Sequence, residues 1–507
     1  MREKRWINKW GWLCVWLFLG IGNVQGQESG DTINTTYTLL QSGEREAAYQ
    51  LISAYQSQHP EDPAAARLVA LTAYWSGRLD VSEKMFEKAL QMEPQNLSLA
   101  LEYADMLTQT LQLRKADSLL SRLLKQSPAH PGIWRAKAQI AWYRGDVNKA
   151  GHLAARANEL DAGNEEVQQF LEEIRLAKAI RLDVYTHFTS DDQPLESLDR
   201  GLRLEKKYAA LLNPSLDIGI PSFVTEKKFT VILRAQIGNE FVFNEKALRI
   251  RVNAGVVKFL FREESQWTAD FYLVKKLIKP LNVSLRWTHQ PYLSTVQSLD
   301  RNLARNNYTL NLHFTEHTAW KGEFLLSTTD FSVDENRLYT LAAWVFLPPL
   351  KLEKASFSLG YAFSYANAEE NRFTAEESLE DIINQGLYLE QIHGIYDPYF
   401  TPRKQSIHSL LGMIQLHPGK KFGMDASMQY GIRARAEYPY LYLDSRPSGK
   451  IFLARDYAPD TFTPFHLKAS LRYKLCKALE MRGDIWYQET LFYRSQGGGL
   501  TVKWMIL

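Results

Sequence analysis

The most constraining feature of this 507-residue chain is a change of periodicity near residue 180. Before that point, small and helix-breaking residues recur every 34 positions; after it, apolar and polar residues alternate in about sixteen short segments. Regularly spaced turns between apolar-periodic segments are typical of paired helices, and strict alternation is typical of strands. The sequence therefore predicts an α + β multidomain protein, with a helical solenoid followed by a transmembrane antiparallel β-barrel of about 16 strands.

Three columns of residues define the helical repeat. They are Gly43, Gly77, Leu111 and Gly145; Ala48, Ser82, Ala116 and Ala150; and Pro60, Pro94, Pro128 and Ala162. Glycine turns the chain between two helices, small residues let helices pack closely, and proline ends a helix. The pattern resembles tetratricopeptide repeats, which place two helices in about 34 residues. We expect about four repeats over residues 30–164 and a capping helix over residues 165–180.

The first helix of each repeat is expected to line a groove. Side chains at helical spacing from the packing alanines project to one side of these helices. The candidate groove residues are Arg67, Tyr74, Asp105, Arg135 and Trp142. Because repeat solenoids present concave binding surfaces, these residues are candidates for capturing a partner or a glycan. An ordinary solvated face is the alternative.

The N-terminus predicts the compartment. Four basic residues precede the apolar run 10–21, and a small-residue cleavage site follows at 24–26. The run is shorter than the about 20 residues of a membrane-spanning helix, so we expect a signal peptide over 1–26 rather than an anchor. The repeat domain would then span 27–180 and the barrel 181–507. After cleavage Cys476 is the one remaining cysteine, which excludes an internal disulfide and a thiolate metal cluster.

Loop lengths in the β half favour an outer-membrane barrel. Short links are predicted at 213–214, 316–317, 418–419 and 475–476, and the longest loops at 367–405 and 435–463. In the predicted strand order, the short links fall at one end and the two long loops at the other. Bacterial outer-membrane barrels have short periplasmic turns and longer external loops. A soluble β-sandwich, which usually has shorter strands, is the alternative.

The polar faces of the predicted strands would line an aqueous channel. Placed inward, they give the candidate pore-lining residues Arg234, Arg249, Arg251, Arg286, Arg433, Lys468, Arg472 and Arg482. Acidic residues on the same faces include Glu323, Asp425, Glu480 and Asp484. Because rings of fixed charge bias permeation, the cationic excess favours an anionic or polar polymer. A self-neutralising network within the barrel is the alternative.

The predicted loop 367–405 contains a helix-start pattern. Thr374-Ala375-Glu376-Glu377 has the spacing of a capping box and precedes Leu379, Ile382 and Ile383. We expect a short helix here, either as a lid over the pore or as an external decoration.

Residues 396–443 resemble part of the outer-membrane barrel of bacterial cellulose secretion proteins. That family carries a Tyr-Phe-Ser-Pro-Gln loop, then a strand, a tight turn and a second strand. This chain reads Tyr399-Phe400-Thr401-Pro402-Arg403, followed by a predicted strand to Leu416 and a turn at 417–420. The order of helical repeats and barrel also resembles exporters of cellulose and poly-N-acetylglucosamine and the YaiO-like barrel proteins. The resemblance makes Tyr399, Phe400 and Pro402 candidate loop residues for glycan contact.

These features predict an outer-membrane export pore for an exopolysaccharide in a Gram-negative bacterium. The repeats would lie in the periplasm and dock a synthase or a modifying enzyme, and lipid would surround the barrel. One alternative is an outer-membrane-anchored binding or assembly scaffold without transport, and another is a lipid-modifying barrel enzyme. The sequence has no His-Glu-x-x-His, no Gly-x-Ser-x-Gly and no phosphate-binding glycine loop, so we expect no enzyme activity, cofactor or metal. A net charge of +3 is too small to indicate nucleic-acid binding.

Overall fold

The protein is described as a computed structural model over residues 27–278, 280–301, 303–314, 320–386, 392–417, 419, 421–445 and 450–506. The predicted signal peptide, residues 1–26, lies outside the described residues. The chain divides into two compact units, Met1–Tyr143 with Lys149–Leu171, and Arg144–Asn148 with Glu172–Leu507. The first contains most of the helical repeats and the second contains the strands.

The repeat region is built from four helix pairs and one further helix, as predicted. The helices are α1 Gln27–Gln41, α2 Arg45–Gln58, α3 Pro63–Trp75, α4 Leu79–Met92, α5 Leu97–Gln109, α6 Leu113–Gln126, α7 Pro131–Arg144, α8 Val147–Leu160 and α9 Glu165–Lys178. Among the helices that the structure describes, none combines the length and apolar character needed to cross a membrane.

The glycine column marks the turn inside each helix pair. Gly43, Gly77 and Gly145 have φ angles of 86°, 82° and 85°, in the left-handed region that glycine enters without a Cβ clash. Leu111, at the same position of the third repeat, also adopts a positive φ, of 62°. The turn geometry is therefore kept where the sequence departs from glycine, at a cost in backbone strain.

The small-residue column lies at helix contacts. Ala48, Ser82, Ala116 and Ala150 are fully buried, with no exposed surface. Ala116 belongs to a core cluster of apolar side chains that also contains Phe86 and extends across neighbouring repeats. The predicted packing role of this column is confirmed.

The second unit contains one large antiparallel sheet. Its strands and the additional short strands are β1 Ile180–Asp191, β2 Glu196–Glu205, β3 Pro214–Gly219, β4 Ser222–Val224, β5 Phe229–Phe243, β6 Leu248–Phe259, β7 Ser265–Ile278, β8 Leu281–Pro291, β9 Ala304–Phe314, β10 Lys321–Phe331, β11 Arg337–Phe346, β12 Leu350–Lys351, β13 Ala355–Ala368, β14 Phe373–Ala375, β15 Gly394–Tyr396, β16 Gln405–Leu416, β17 Phe422–Asp444, β18 Phe452–Phe462, β19 Phe465–Lys474, β20 Leu479–Glu489 and β21 Arg494–Ile506. Two short helices, α10 Val296–Leu299 and α11 Leu379–Asn384, lie in links between strands.

The sheet closes into a barrel of 16 strands, as the alternation predicted. β3 and β4 share one place in the ring, since both pair with β2 and β5. β12, β14, β15 and β18 lie outside the ring. β21 pairs with β1 from Ile180 opposite Ile506 to Asp191 opposite Ser495, which completes the closure. Both chain ends of the barrel therefore lie at one end, called here the terminal end; the other is the distal end.

One predicted loop is a strand ribbon. A loop is predicted over 435–463, but β17 continues to Asp444 and pairs with β18 over eleven positions beyond its pairing with β19. The alternation of apolar and polar residues that marks a strand is weak here, because Pro439, Pro459 and several charged residues interrupt it. The ribbon is at the distal end, where the long loop was expected.

The two faces of the barrel wall differ in polarity. Ile237, Leu359 and Ile485 are 67–69% exposed on the outward face, and Trp267 and Trp504 are exposed near opposite ends of their strands. Directly paired residues share a face, so the alternate positions form the interior wall. An apolar outer band with interfacial aromatics and a polar interior is the arrangement of an outer-membrane barrel.

Candidate functional site

The interior wall on β1 to β8 carries arginines that are paired with carboxylates. Arg234 lies 3.1 Å from Asp199 and 3.7 Å from Asp217. The other pairs are Arg251 with Glu240 at 3.3 Å and Arg286 with Asp270 at 3.0 Å. Arg249 shares the face of Arg251, two positions along β6. On this side of the barrel, the wall follows the self-neutralising alternative.

The interior wall on β19 and β20 differs. Lys468, Arg472 and Arg482 are exposed, and Arg472 lies directly opposite Arg482 on the neighbouring strand. Within the described chain, these three side chains have no ion-pair partner. Asp425 on the adjacent β17 accepts a hydrogen bond from the amide of Gln415 at 3.2 Å instead. These three cations share the interior face with the acidic residues Glu480 and Asp484 of β20, and Asp484 lies between Arg482 and Trp486 along that strand.

Arg433 is not on the interior wall. The register of β16 and β17 shifts between His408 and Ser409, which puts Arg433 opposite His408. His408 accompanies Leu410 and the exposed Tyr361 on the outward face. The prediction that Arg433 lines the pore is wrong because a β-bulge reverses the alternation that strict period two assumes.

The link between β8 and β9 crosses the distal mouth. Leu299 and Val296 of α10 pack against Phe223, Ile232 and Phe259. Ile232 and Phe259 are paired, buried positions whose neighbours along the strands face outward, so this apolar patch belongs to the interior wall. This link joins β8 to β9, but it packs against the interior side of β4, β5 and β6. It therefore covers part of the lumen.

The link between β13 and β16 covers another part of the mouth. Tyr399 is fully buried and stacks on Phe331 of β10, with ring centroids 3.5 Å apart. Its hydroxyl donates to the Asp334 carboxylate at 2.7 Å, and burial together with this bond raises the pKa of Tyr399. The two covering links meet where Thr295 Oγ1 donates to the carbonyl of Pro398 at 2.6 Å. These segments, 292–303 and 392–404, are called here the distal cover.

The other two loop-motif residues support the same cover. Phe400 contacts Phe492 in the β20–β21 link, with ring centroids 4.4 Å apart. β10 and β20 are six places apart in the ring, so Tyr399 and Phe400 brace the cover on nearly opposite sides. The carbonyl of buried Pro402 accepts from the amide of Ala368 at 2.8 Å. The glycan contact expected of Tyr399 is thus contradicted by its burial.

The helix in this link begins later than predicted. α11 covers Leu379–Asn384, and its N-cap is Ser378, whose Oγ accepts from the amide of Asp381. Thr374, the expected cap, lies on β14. Thr374 pairs with Ile395 in the β14–β15 ladder, which outcompetes the local capping pattern. Ile382 is buried and the neighbouring helix positions are exposed.

The predicted groove residues of the repeats include two ion-paired arginines. Arg67 on α3 bonds both carboxylate oxygens of Glu102 on α5, with Nε 2.7 Å from Oε2. Arg135 on α7 forms the equivalent pair with Glu166 on α9. Each pair bridges neighbouring repeats, so both arginines contribute contacts that hold the array together.

Asp105, the acidic residue among the predicted groove residues, is located on α5. Burial raises its pKa, the nearby Arg135 opposes that rise, and Glu166 adds to it. Burial, with a contribution from Asp105, raises the pKa of Tyr74 to about 12. Trp142 packs edge-on against Phe170 of α9, with ring centroids 5.8 Å apart. The predicted groove residues thus combine aromatic side chains with a carboxyl group whose pKa is raised by burial.

Sequence reasoning missed the partners of the groove residues. Glu102 and Glu166 follow Arg67 and Arg135 by 35 and 31 residues, close to one repeat. Because the repeat is 34 residues long, an oppositely charged residue about 34 positions away could have been predicted as an ion-pair partner. The distal cover left no comparable signal, because its contacts join segments about a hundred residues apart.

Comparisons with known proteins agree with this architecture in part. A tetratricopeptide repeat family model matches residues 76–140. Among solved structures, a bacterial polysaccharide outer membrane secretin matches at 8% identity and TM-score 0.45, over 65% of this chain and 99% of that chain. The OccK5 (OpdH) structure of Pseudomonas aeruginosa matches at 12% identity and TM-score 0.34, over 65% and 97%. A thermophilic TPR protein of Thermus thermophilus matches at 18% identity and TM-score 0.27, over 29% and 81%. No curated protein matches the chain.

The fold and the matched repeat define the class. The described chain is a helical repeat region, matched in part by the tetratricopeptide model, followed by a closed antiparallel barrel of 16 strands.

Proposed function

We propose that this protein is an outer-membrane export pore for an exopolysaccharide, with no enzymatic activity of its own. The observation that carries the proposal is the closed ring of 16 strands with charged side chains on its interior wall. A barrel of this size leaves an aqueous channel, whereas an eight-stranded barrel is filled by its own side chains. A hydrated polymer chain is a cargo suited to such a channel.

The connectivity supports a periplasmic position for the repeats. α9 ends at Lys178 and β1 begins at Ile180, at the terminal end of the barrel. The longest links, 369–404 and the ribbon of β17 and β18, lie at the distal end. Long loops of outer-membrane barrels face the exterior. The repeats then lie on the periplasmic side, where a synthase or a modifying enzyme can dock in the groove containing Asp105 and Trp142.

The distal cover favours one alternative function. Its contacts, including Tyr399 on Phe331, cross the mouth of the lumen. An export pore must displace these segments during transport. A protein that never opens would use the barrel as an anchor, and its repeats would work as a periplasmic assembly scaffold.

A deletion strain tests the proposal. Export predicts that deletion abolishes a cell-surface polysaccharide while the genes for its synthesis remain expressed, and that the full chain restores it. Normal surface polysaccharide in the deletion strain, under conditions where the gene is transcribed, would reject export.

A second strain separates the two functions. Residues 27–180 carried on a lipoprotein anchor provide the repeats without the barrel. The scaffold function predicts that this chimera restores the phenotype of the deletion strain, and the export function predicts that it does not. Detection of the chimera in the outer membrane by immunoblot is the control.

A further inference from the structure

Three aromatic or imidazole rings lie against glycines on the interior wall. Trp486 on β20 is directly opposite Gly497, and a Cβ added to that glycine would lie 2.8 Å from the indole Cζ2. On β1, His187 covers Gly499 of β21, and Tyr185 covers Gly201 of β2, so closely that a Cβ at either glycine would overlap the ring. Glycine is thus required at these places by close approach of the side chain above it.

The glycines leave room for the rings on the wall. At each of these places the ring occupies space over the neighbouring strand that a Cβ would otherwise fill. The rings of Tyr185 and His187 are adjacent on β1, with centroids 5.6 Å apart. Trp486 lies on β20, on the other side of β21 from these two rings. The arc spans β20, β21 and β1, across the seam where the barrel closes.

Flat rings on a channel wall are suited to sugars. The face of an aromatic ring is electron-rich, and it attracts the polarised C–H bonds on the face of a pyranose. Aliphatic side chains would not present this surface. Gly497 and Gly499 leave room for Trp486 and His187, and Gly201 leaves room for Tyr185, which gives these glycines a role beyond relieving a turn.

Cationic side chains border this arc. Lys468 lies directly opposite Trp486, and Arg472 lies opposite Arg482 on the same pair of strands. The Arg472 guanidinium is also held along the wall, since a Cβ on Gly423 would lie 3.0 Å from its Nη2. In the described chain these cations lack ion-pair partners, unlike Arg234, Arg251 and Arg286.

We infer that Trp486, His187 and Tyr185, with Lys468, Arg472 and Arg482 beside them, form a binding track for an acidic polysaccharide on the lumen wall. The rings stack on sugar faces and the cations bind the carboxylates of uronic-acid units. Arginine suits this task because its planar fork matches a carboxylate. The inference rests on the proposed export function and names its substrate class.

Binding of defined oligosaccharides to the purified full chain in detergent tests the track. Hexagalacturonate is the acidic probe and cellohexaose the neutral one, and isothermal titration calorimetry is the measurement. We expect hexagalacturonate to bind about tenfold more tightly than cellohexaose, and to weaken as salt screens the contact. Cellohexaose binding should not change with salt. Equal affinities, or affinity for neither probe, would overturn the inference.

Variants assign the binding to this wall. Arg472→Gln with Arg482→Gln should weaken hexagalacturonate binding about tenfold and leave cellohexaose unchanged, whereas Trp486→Leu should weaken both. The matched control is Arg251→Gln with Arg286→Gln, which removes the same charge from the paired side and should leave binding unchanged. An equal loss in the control would show a general charge effect and reject the track. Heat-modifiable migration in electrophoresis verifies that each barrel is folded.

A second pair keeps the test decisive if the glutamine variants do not fold. Arg472→Lys with Arg482→Lys retains the charge, and we expect it to keep the preference for hexagalacturonate. The outcome is separate from that of the deletion strain. A strain that exports normally without this protein rejects the export function, whereas a chain that exports but lacks the preference rejects only the acidic substrate class.

Discussion

Arg67 and Glu102 lie 35 residues apart on neighbouring repeats and form a two-point ion pair, with Arg67 Nε 2.7 Å from Glu102 Oε2. Both side chains are about 21% exposed. Removing the arginine leaves a carboxylate in a place where burial already raises the pKa of Glu102. The pair is therefore part of the fold of the array.

Arg67→Ala should lower the free energy of unfolding of the repeat region by about 1–3 kcal/mol, because it leaves a desolvated acceptor unpaired. Urea titration of residues 27–180, followed by helical circular dichroism, gives the value. Arg156→Ala, which removes an exposed pair with Glu159 on α8, is the control and should change stability by less than about 1 kcal/mol. Equal effects of the two substitutions would contradict the role of Arg67.

Leu111→Gly should stabilise the repeat region. A left-handed leucine costs about 1–2 kcal/mol, and the entropy of glycine in the unfolded chain offsets about 0.5–1 kcal/mol of the gain. The expected rise in the free energy of unfolding is the strain relieved minus the entropy lost, which is up to about 1 kcal/mol. The reverse substitution Gly77→Leu, at the same turn of the preceding repeat, should destabilise. A loss of stability in Leu111→Gly would show that the exposed leucine side chain matters more than its backbone.

Asp105 should make stability of the repeat region depend on pH. Its pKa is raised above the ordinary 3.8, so its stabilising contribution is complete below pH 3.8 and is lost as pH rises through the folded-state pKa. Asp105→Asn keeps the shape and removes the titration. The variant should therefore be more stable than the natural chain at pH 7, with the difference shrinking as pH falls toward 3.8.

Thermal unfolding from pH 3.5 to pH 8 measures this difference, and Asp80→Asn, at an exposed position in the first turn of α4, is the control. If Asp105→Asn were less stable at pH 7, the carboxylate would be well compensated by Arg135.

Replacing residues 293–301 by a short Gly-Ser linker should open the barrel. The segment contains α10 and Thr295, whose contacts hold the distal cover over the interior wall. Cells carrying this variant should become sensitive to vancomycin, which intact outer membranes exclude, and the purified barrel should conduct ions in planar bilayers. A linker of the same composition inserted after Ser445, in the ribbon, should leave the cells resistant. Unchanged permeability of the 293–301 variant would place the barrier elsewhere in the lumen.

Cysteine labelling tests the sidedness of the barrel. Native Cys476 is exposed in the link between β19 and β20, at the terminal end, and should not react with a membrane-impermeant thiol reagent on intact cells. With Cys476→Ser as background, Asn384→Cys and Ser445→Cys should react on intact cells. Gly419→Cys should react only after the outer membrane is permeabilised. The opposite pattern would reverse the proposed orientation.

Much of the architecture can be predicted from the sequence, because the helical half follows a 34-residue repeat and the strands follow a two-residue alternation. β5 and β6 begin at Phe229 and Leu248, where apolar alternation begins in the sequence. Both strands have one face in lipid and one in water, so the polarity of each residue indicates whether it faces the lipid or the lumen. The turn column was equally readable, even at Leu111.

The rest depends on contacts that no period encodes. Arg433 was misplaced because the bulge beside Ser409 adds one residue to β17, and a single insertion reverses all later positions. The burial of Tyr399 depends on Asp334 and Phe331, more than sixty residues earlier in the chain. Partners this remote follow from closure of the barrel, which local patterns do not describe.

The ribbon formed by β17 and β18 has a consequence for what a cell would present to its surroundings. Eleven paired positions, at about 3.4 Å per residue, extend roughly 35 Å. Tyr438 braces the ribbon against Phe492, with ring centroids 5.7 Å apart. In the orientation proposed above, a peptide inserted between β17 and β18 would be carried away from the barrel, so this ribbon offers an attachment point for displaying foreign epitopes to antibodies.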